Sequence, residues 1–161
     1  MSTKPANISD ATKESIRKIG VFSSLSDEEI QILIMHARFQ TLDTNDFLFH
    51  EGDVGDFFAV ILEGQVEIEK KSDNDIPVAI ATLSQHATLG EMAIIDSDTR
   101  SASAIALTPT TLFILSRDSF DALVNEHPKC GVVIIRKIAS LLNKNLRNTS
   151  LEFAKSLASM T

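Results

Sequence analysis

The chain has 161 residues, 43% of them apolar, and a single cysteine. That is enough for one domain with its own core, and too few thiols for a disulfide framework or a cysteine-held metal cluster. Fifteen lysines and arginines against 22 acids leave a net charge of −7, which argues against direct DNA binding. The polar start, Met1 to Asp10, has no apolar signal core, and no apolar run approaches the roughly 18 residues of a membrane span. A soluble, cytoplasmic protein without a membrane partner is expected.

Residues from about Thr12 to Phe39 read as helical. Ser26-Asp27-Glu28-Glu29 is a capping box, with Ile30, Leu33, Ile34 and Ala37 behind it at helical spacing. Phe22 and Leu25 precede the cap and are placed to staple the chain onto the core. From about Phe39 to Leu115 the texture changes to short apolar or alternating runs between turn signals. These are Phe47 to Phe49, Phe57 to Leu62, Val66 to Lys70, Val78 to Leu83, Ser103 to Leu107 and Leu112 to Leu115. Such spacing predicts a closed or double-sheet β unit of about eight strands. After Leu115 the helical period returns: a short helix from Arg117 that stops before Pro128, then a longer one. The longer helix carries Val133, Ile134, Ile138, Leu141 and Leu142 up to Leu146 or onward to Leu157. Ten acids between Asp43 and Asp75, and five basic residues between Lys129 and Arg147, read as solvated surface.

One stretch, Leu89 to Ser103, breaks the strand rhythm. Gly90 permits a turn that a side chain would block, and Glu91 to Ile95 is long enough for a turn or two of helix. A helix start offers free N–H donors to an anion, and Thr99-Arg100-Ser101 returns a guanidinium and two hydroxyls to the same region. Taken singly, Glu91 is an ordinary first-turn charge and Arg100 an ordinary loop residue.

Taken together, Gly90-Glu91-Met92-Ala93-Ile94-Ile95 followed by Arg100-Ser101-Ala102-Ser103 resembles the phosphate-binding cassette of the cyclic nucleotide-binding domain family. That is the sensor module of the protein kinase A regulatory subunit, the catabolite activator protein and many channels. Upstream, Glu51-Gly52-Asp53, Asp56, Gly64 and Val66 resemble the family's second signature. The flanks Val21 to Ser26 and Phe120 to Pro128 are similar to it as well. The resemblance implies an α+β fold: an eight-stranded antiparallel jelly-roll-like β-roll with N-terminal helices, a short internal phosphate-binding helix and C-terminal helices. It divides the chain into a polar tail over 1–14, the nucleotide-binding domain over 15–128, and a hinge, lid or dimerisation helix with its tail over 129–161.

The resemblance also implies roles. Glu91 accepts from the ribose 2′-hydroxyl, Arg100 pairs with the exocyclic phosphate oxygens, and Gly90 gives room for the sugar. Met92 counts among the ligand-binding residues, and backbone N–H groups near Ala93 and Ala102 complete the cradle. Ser101 touches the phosphate or a guanine amino group, Ile94 is the hinge residue that reports to the C-terminal helix, and Asn145 covers the base. The ligand is cAMP or cGMP, with no cofactor and no metal. The partner is a protein in trans or a second copy joined through the C-terminal helix. His86 and Ala87 stand where family members usually carry Gly-Asp.

Two other readings stay open: a degenerate member acting as an interaction scaffold without nucleotide, and a small β-barrel enzyme or other ligand binder. Against the enzyme, His36, His50, His86 and His127 are scattered with no metal-ligand spacing, and Asp53 and Asp56 sit beside turn glycines. Cys130, alone before a helical stretch, reads as structural.

Overall fold

The computed structural model describes residues 9–160. Its first helices begin where serine hydroxyls satisfy otherwise free backbone N–H groups. Ser9 accepts from the Thr12 N–H at 3.2 Å and starts α1, Asp10–Arg17. Ser26 accepts from the Glu29 N–H at 3.2 Å while its own N–H donates to the Glu29 carboxylate at 2.8 Å. This is the capping box expected from the sequence, and it starts α2, Asp27–His36. The stretch expected to be helical from Thr12 to Phe39 is therefore two helices. A 3-10 turn, Gly20–Phe22, lies between them, and a strand is already under way at Arg38. The break falls after Lys18, where Ile19 takes an extended backbone at ψ 121° ahead of the 3-10 turn. Of the stretch expected as a tail, residues 1–8 lie outside the described residues, as does Thr161 at the other end, and α1 takes up the chain from Asp10.

Eight strands follow: β1 Arg38–Leu42, β2 Phe47–Phe49, β3 Phe57–Glu63, β4 Val66–Lys71, β5 Pro77–Leu83, β6 Thr88–Leu89, β7 Ser103–Ala106 and β8 Thr110–Ser116. A one-turn helix, α3 Met92–Ile95, interrupts them between β6 and β7. They form two four-stranded antiparallel sheets, in the orders β1-β8-β3-β6 and β2-β7-β4-β5. This is the α+β roll that the motifs implied. Gly64 makes the β3–β4 turn at φ +97°, and a Cβ there would fall 2.5 Å from the Pro109 carbonyl oxygen.

The first sheet is buried on both faces, which is why β3 and β8 read as unbroken apolar runs and not as alternation. Phe58, Val60, Phe113 and Leu115 join the core under the helices, whereas Ala59, Ile61, Leu112 and Ile114 fill the roll with Val66, Ala104 and Ala106. Phe22 meets Phe58 and Phe113 edge to face at 5.9 and 5.7 Å, so the 3-10 turn plugs into the sheet.

Ser116 caps α4, Arg117–Glu126, accepting from the Ser119 N–H at 3.1 Å. Pro128 then opens α5, Pro128–Ser159, a single 32-residue helix. Its first half buries Cys130, Ile134 and Ile138 in the helical core, and from Asn143 to Met160 its side chains are exposed. Among the described residues, no helix is long and apolar enough to cross a membrane.

Candidate functional site

The two motif stretches singled out in the sequence are zipped together. Val54 bridges to Thr99. The Arg100 N–H donates to the Asp53 carbonyl at 2.7 Å, the Gly52 N–H to the Arg100 carbonyl at 2.8 Å, and the Gly55 N–H to the Asp98 carbonyl at 3.3 Å. The Asp53 carboxylate accepts from the His50 N–H at 2.9 Å, so it builds the turn as its place beside Gly52 suggested. The upstream motif is thus the wall that holds the backbone of Arg100.

The Arg100 side chain runs inward and is only 6% exposed. Its guanidinium lies 4.2 Å from the Phe49 ring centre and 4.6 Å from that of Phe57. Nη2 donates to the Phe57 carbonyl at 2.6 Å, whereas Nε, buried beside Gly55, has no partner. Gly90, at φ +68°, leaves the space that Nη1 occupies; a Cβ there would collide with it. Burial pulls the guanidinium below its ordinary pKa, while the charges of Asp56 and Asp53 offset part of that shift.

Glu91 stands at the N-cap position of α3, yet its side chain makes no capping bond. It lines a cavity instead. Burial pushes its carboxyl above the usual carboxylate range, and its own backbone N–H and the Arg100 charge draw it part of the way back. The cavity holds about 270 Å³ and is walled by Phe49, Ile68, Leu83, Thr88 and the cassette. A wider groove of about 790 Å³ beside α1 has Glu63, an exposed side chain, as its ionisable lining residue. A buried guanidinium beside a half-buried carboxyl distinguishes the smaller cavity.

Gly90, Glu91, Met92, Ala93, Arg100, Ser101 and Ala102 all line it, so the structure brings seven of the sequence-predicted residues together. The Ala93 N–H already donates to the Gly90 carbonyl at 3.0 Å. Ile94 lies behind the cavity, buried in the helical core, and α3 packs chiefly on β3 and α4. Asn145 is not brought to the cavity; it is exposed on the part of α5 beyond the roll. The α5 residues that come nearest are Lys137, Ser140, Leu141 and Lys144, which line a groove sharing Leu83 and Thr88 with the cavity. Helical spacing from Ile134 and Ile138 leads to Leu141 and on to Asn145, whereas Lys137, Ser140 and Lys144 lie to one side of that stripe, where the apolar period gives no signal. Phe49 was missed because the β2–β7 register shifts between Phe47 and Phe49, so alternation does not assign its face.

A family model, the cyclic nucleotide-binding domain, matches residues 39–127. The cyclic AMP receptor protein of Thermus thermophilus is 27% identical over 132 residues, 82% of this chain and 59% of that protein. Human cGMP-dependent protein kinase 2 is 26% identical over 111 residues, 68% of this chain and 15% of the kinase. The chain thus spans less than two thirds of either relative. Among solved structures, a cyclic nucleotide-binding domain from Methylobacillus flagellatus superposes with a TM-score of 0.82 at 31% identity, over 91% of this chain and 85% of that one.

Proposed function

Because the chain belongs to the cyclic nucleotide-binding domain family, we propose that it is a sensor module that binds cAMP or cGMP without altering it. Occupancy passes to a partner chain through α5. The observation that carries this reading is Arg100, a guanidinium buried at a cavity with one donor left unpaired. A buried cation without a bound carboxylate is costly, and a cyclic phosphate supplies both the missing charge and the missing acceptor. Arg100 takes the exocyclic oxygens, Glu91 accepts from the ribose 2′-hydroxyl, and Gly90 leaves room for the sugar. Met92, Ser101 and the backbone at Ala93 and Ala102 close around the phosphate. The base points toward Leu83 and Thr88, where Ser140 and Lys144 meet it more readily than Asn145 does. Ile94 reports the change to the helical core.

The partner is a second copy. Val132, Ile135, Leu142, Leu146, Phe153 and Met160 fall on the a and d positions of one heptad series, and all but half-buried Leu142 are exposed. A pair of α5 helices would cover this seam. Sedimentation of the purified chain is expected to give a dimer, and Leu146→Asp with Phe153→Asp a monomer; a monomeric parent at tens of micromolar refutes the pairing.

Titration with both cyclic nucleotides tests the central reading. At about 100 times the dissociation constant, linkage adds roughly 2.7 kcal/mol, a melting shift on the order of 5–10 °C for this size. No shift at millimolar nucleotide sinks the sensor and favours a scaffold that has lost its ligand.

A further inference from the structure

The cassette helix α3 is a single turn, which has little stability of its own. What grips its C-terminal end is one side chain from outside it. Arg117, the first residue of α4, donates from Nε to the Ala93 carbonyl at 2.7 Å and from Nη2 to the Asp96 and Gly55 carbonyls, both at 2.5 Å. Its Nη1 donates to Ser97 Oγ at 3.1 Å, and its own backbone N–H to the Asp56 carbonyl at 2.8 Å. All three side-chain nitrogens are engaged, in contrast to Arg100 with its unpaired Nε. The loop before β3, the cassette and α4 therefore meet in one guanidinium.

A planar fork with fixed donors can span those carbonyls, and an ammonium cannot. From α4 the connection to α5 is stiff: Gly131 lies so close to Val124 that a Cβ there would fall 2.6 Å from Val124 Cγ2. Such a packed pair shifts as a unit and does not deform smoothly. The charge of Arg117 also weighs on Arg100, and an anion at the cassette would relieve that repulsion.

We propose, building on the nucleotide-sensor reading, that Arg117 is the positioning residue that couples the cassette to the helical output. It holds α3 in its binding geometry and carries displacement of α3 into α4 and α5. Ile94 supplies the apolar contact behind the same turn, but the directional link is Arg117.

The test uses the whole chain and cAMP and cGMP as probes, read by calorimetry and amide hydrogen exchange. In the parent, saturating nucleotide should slow exchange in residues 89–103 and change it in 117–142. Arg117→Met should weaken binding about 5- to 150-fold, the span typical of coupled sites. At saturation it should keep the change in 89–103 and lose that in 117–142. Arg117→Lys, which keeps the charge and not the fork, should show the same loss of coupling with a smaller loss of affinity. Parent-like affinity and a parent-like exchange pattern in Arg117→Met overturn the proposal. Should that variant not fold, the parent decides: the Arg117 Nε–H resonance must shift on nucleotide addition, and an unmoved signal in a protein that binds is equally fatal. A parent that binds neither nucleotide fails the functional reading itself and takes the coupling with it, a result distinct from binding without coupling.

Discussion

Beneath the helices, the β1-β8-β3-β6 sheet presents Phe58 and Phe113, which meet Phe22 edge to face, and Phe39 meets Phe113 at 5.8 Å. The buried cluster there is built of Phe, Ile, Leu, Val and Ala with one cysteine. At the cavity end of the roll the materials are different. A guanidinium is buried with an unpaired nitrogen, a carboxyl is pushed up by burial, and His86 adopts φ +72° close to Gly90 at +68°. The buried guanidinium, the buried carboxyl and the left-handed His86 backbone each cost stability in the free protein. The difference teaches that the helical core supplies the stability that lets the cavity hold groups unfavourable to folding, as the proposed binding site requires.

The sharpest way to break this contrast is at Phe113. Phe113→Ala removes a fully buried ring and should cost about 3–5 kcal/mol, a fall in melting temperature on the order of 10 °C. Thermal denaturation without ligand measures it, and a loss below about 1 kcal/mol would mean that the helical core is not where stability resides.

Arg100→Ala strikes the other region. It should lower cyclic nucleotide affinity by about 2–5 kcal/mol, roughly 30-fold to several-thousand-fold, while costing the free fold less than Phe113→Ala does. Arg100→Lys should also lose affinity, because its single ammonium cannot form the fork. Calorimetric titration checks both, and unchanged binding by Arg100→Ala would remove the site assignment.

The smallest effect should come at Glu91, and it carries a sign. The native form holds this proton more tightly than the unfolded chain does, so the ionised carboxylate destabilises the free protein as pH rises above the unfolded value near 4.5. Glu91→Gln should therefore raise the melting temperature of the free protein at pH 7, an advantage that disappears below about pH 4.5. The same variant should bind nucleotide less tightly and discriminate less against a 2′-deoxy analogue. Melting curves across pH, with titrations at pH 7, distinguish this from a simple capping role. A capping carboxylate would lose free-state stability on substitution.

The elements and the cassette were legible in the sequence because their causes are local. Ser26 and Glu29 satisfy each other across three positions, and β3 and β8 announce two buried faces by unbroken apolar runs. Gly90 to Ala93 and Arg100 to Ala102 are close in sequence and line the same cavity, although the Arg100 backbone is held there by the Gly52–Gly55 stretch. What only the tertiary structure decided are contacts made across long stretches of chain. Arg100 donates to a carbonyl 43 positions away and Arg117 to one 62 positions away. The face taken by Phe49 depends on a register shift against β7, and the outward position of Asn145 depends on where α5 leaves the roll. Periodicity and caps act over a few residues, so they specify helices and turns. Which carbonyl a guanidinium finds is decided by how the finished sheets and helices pack.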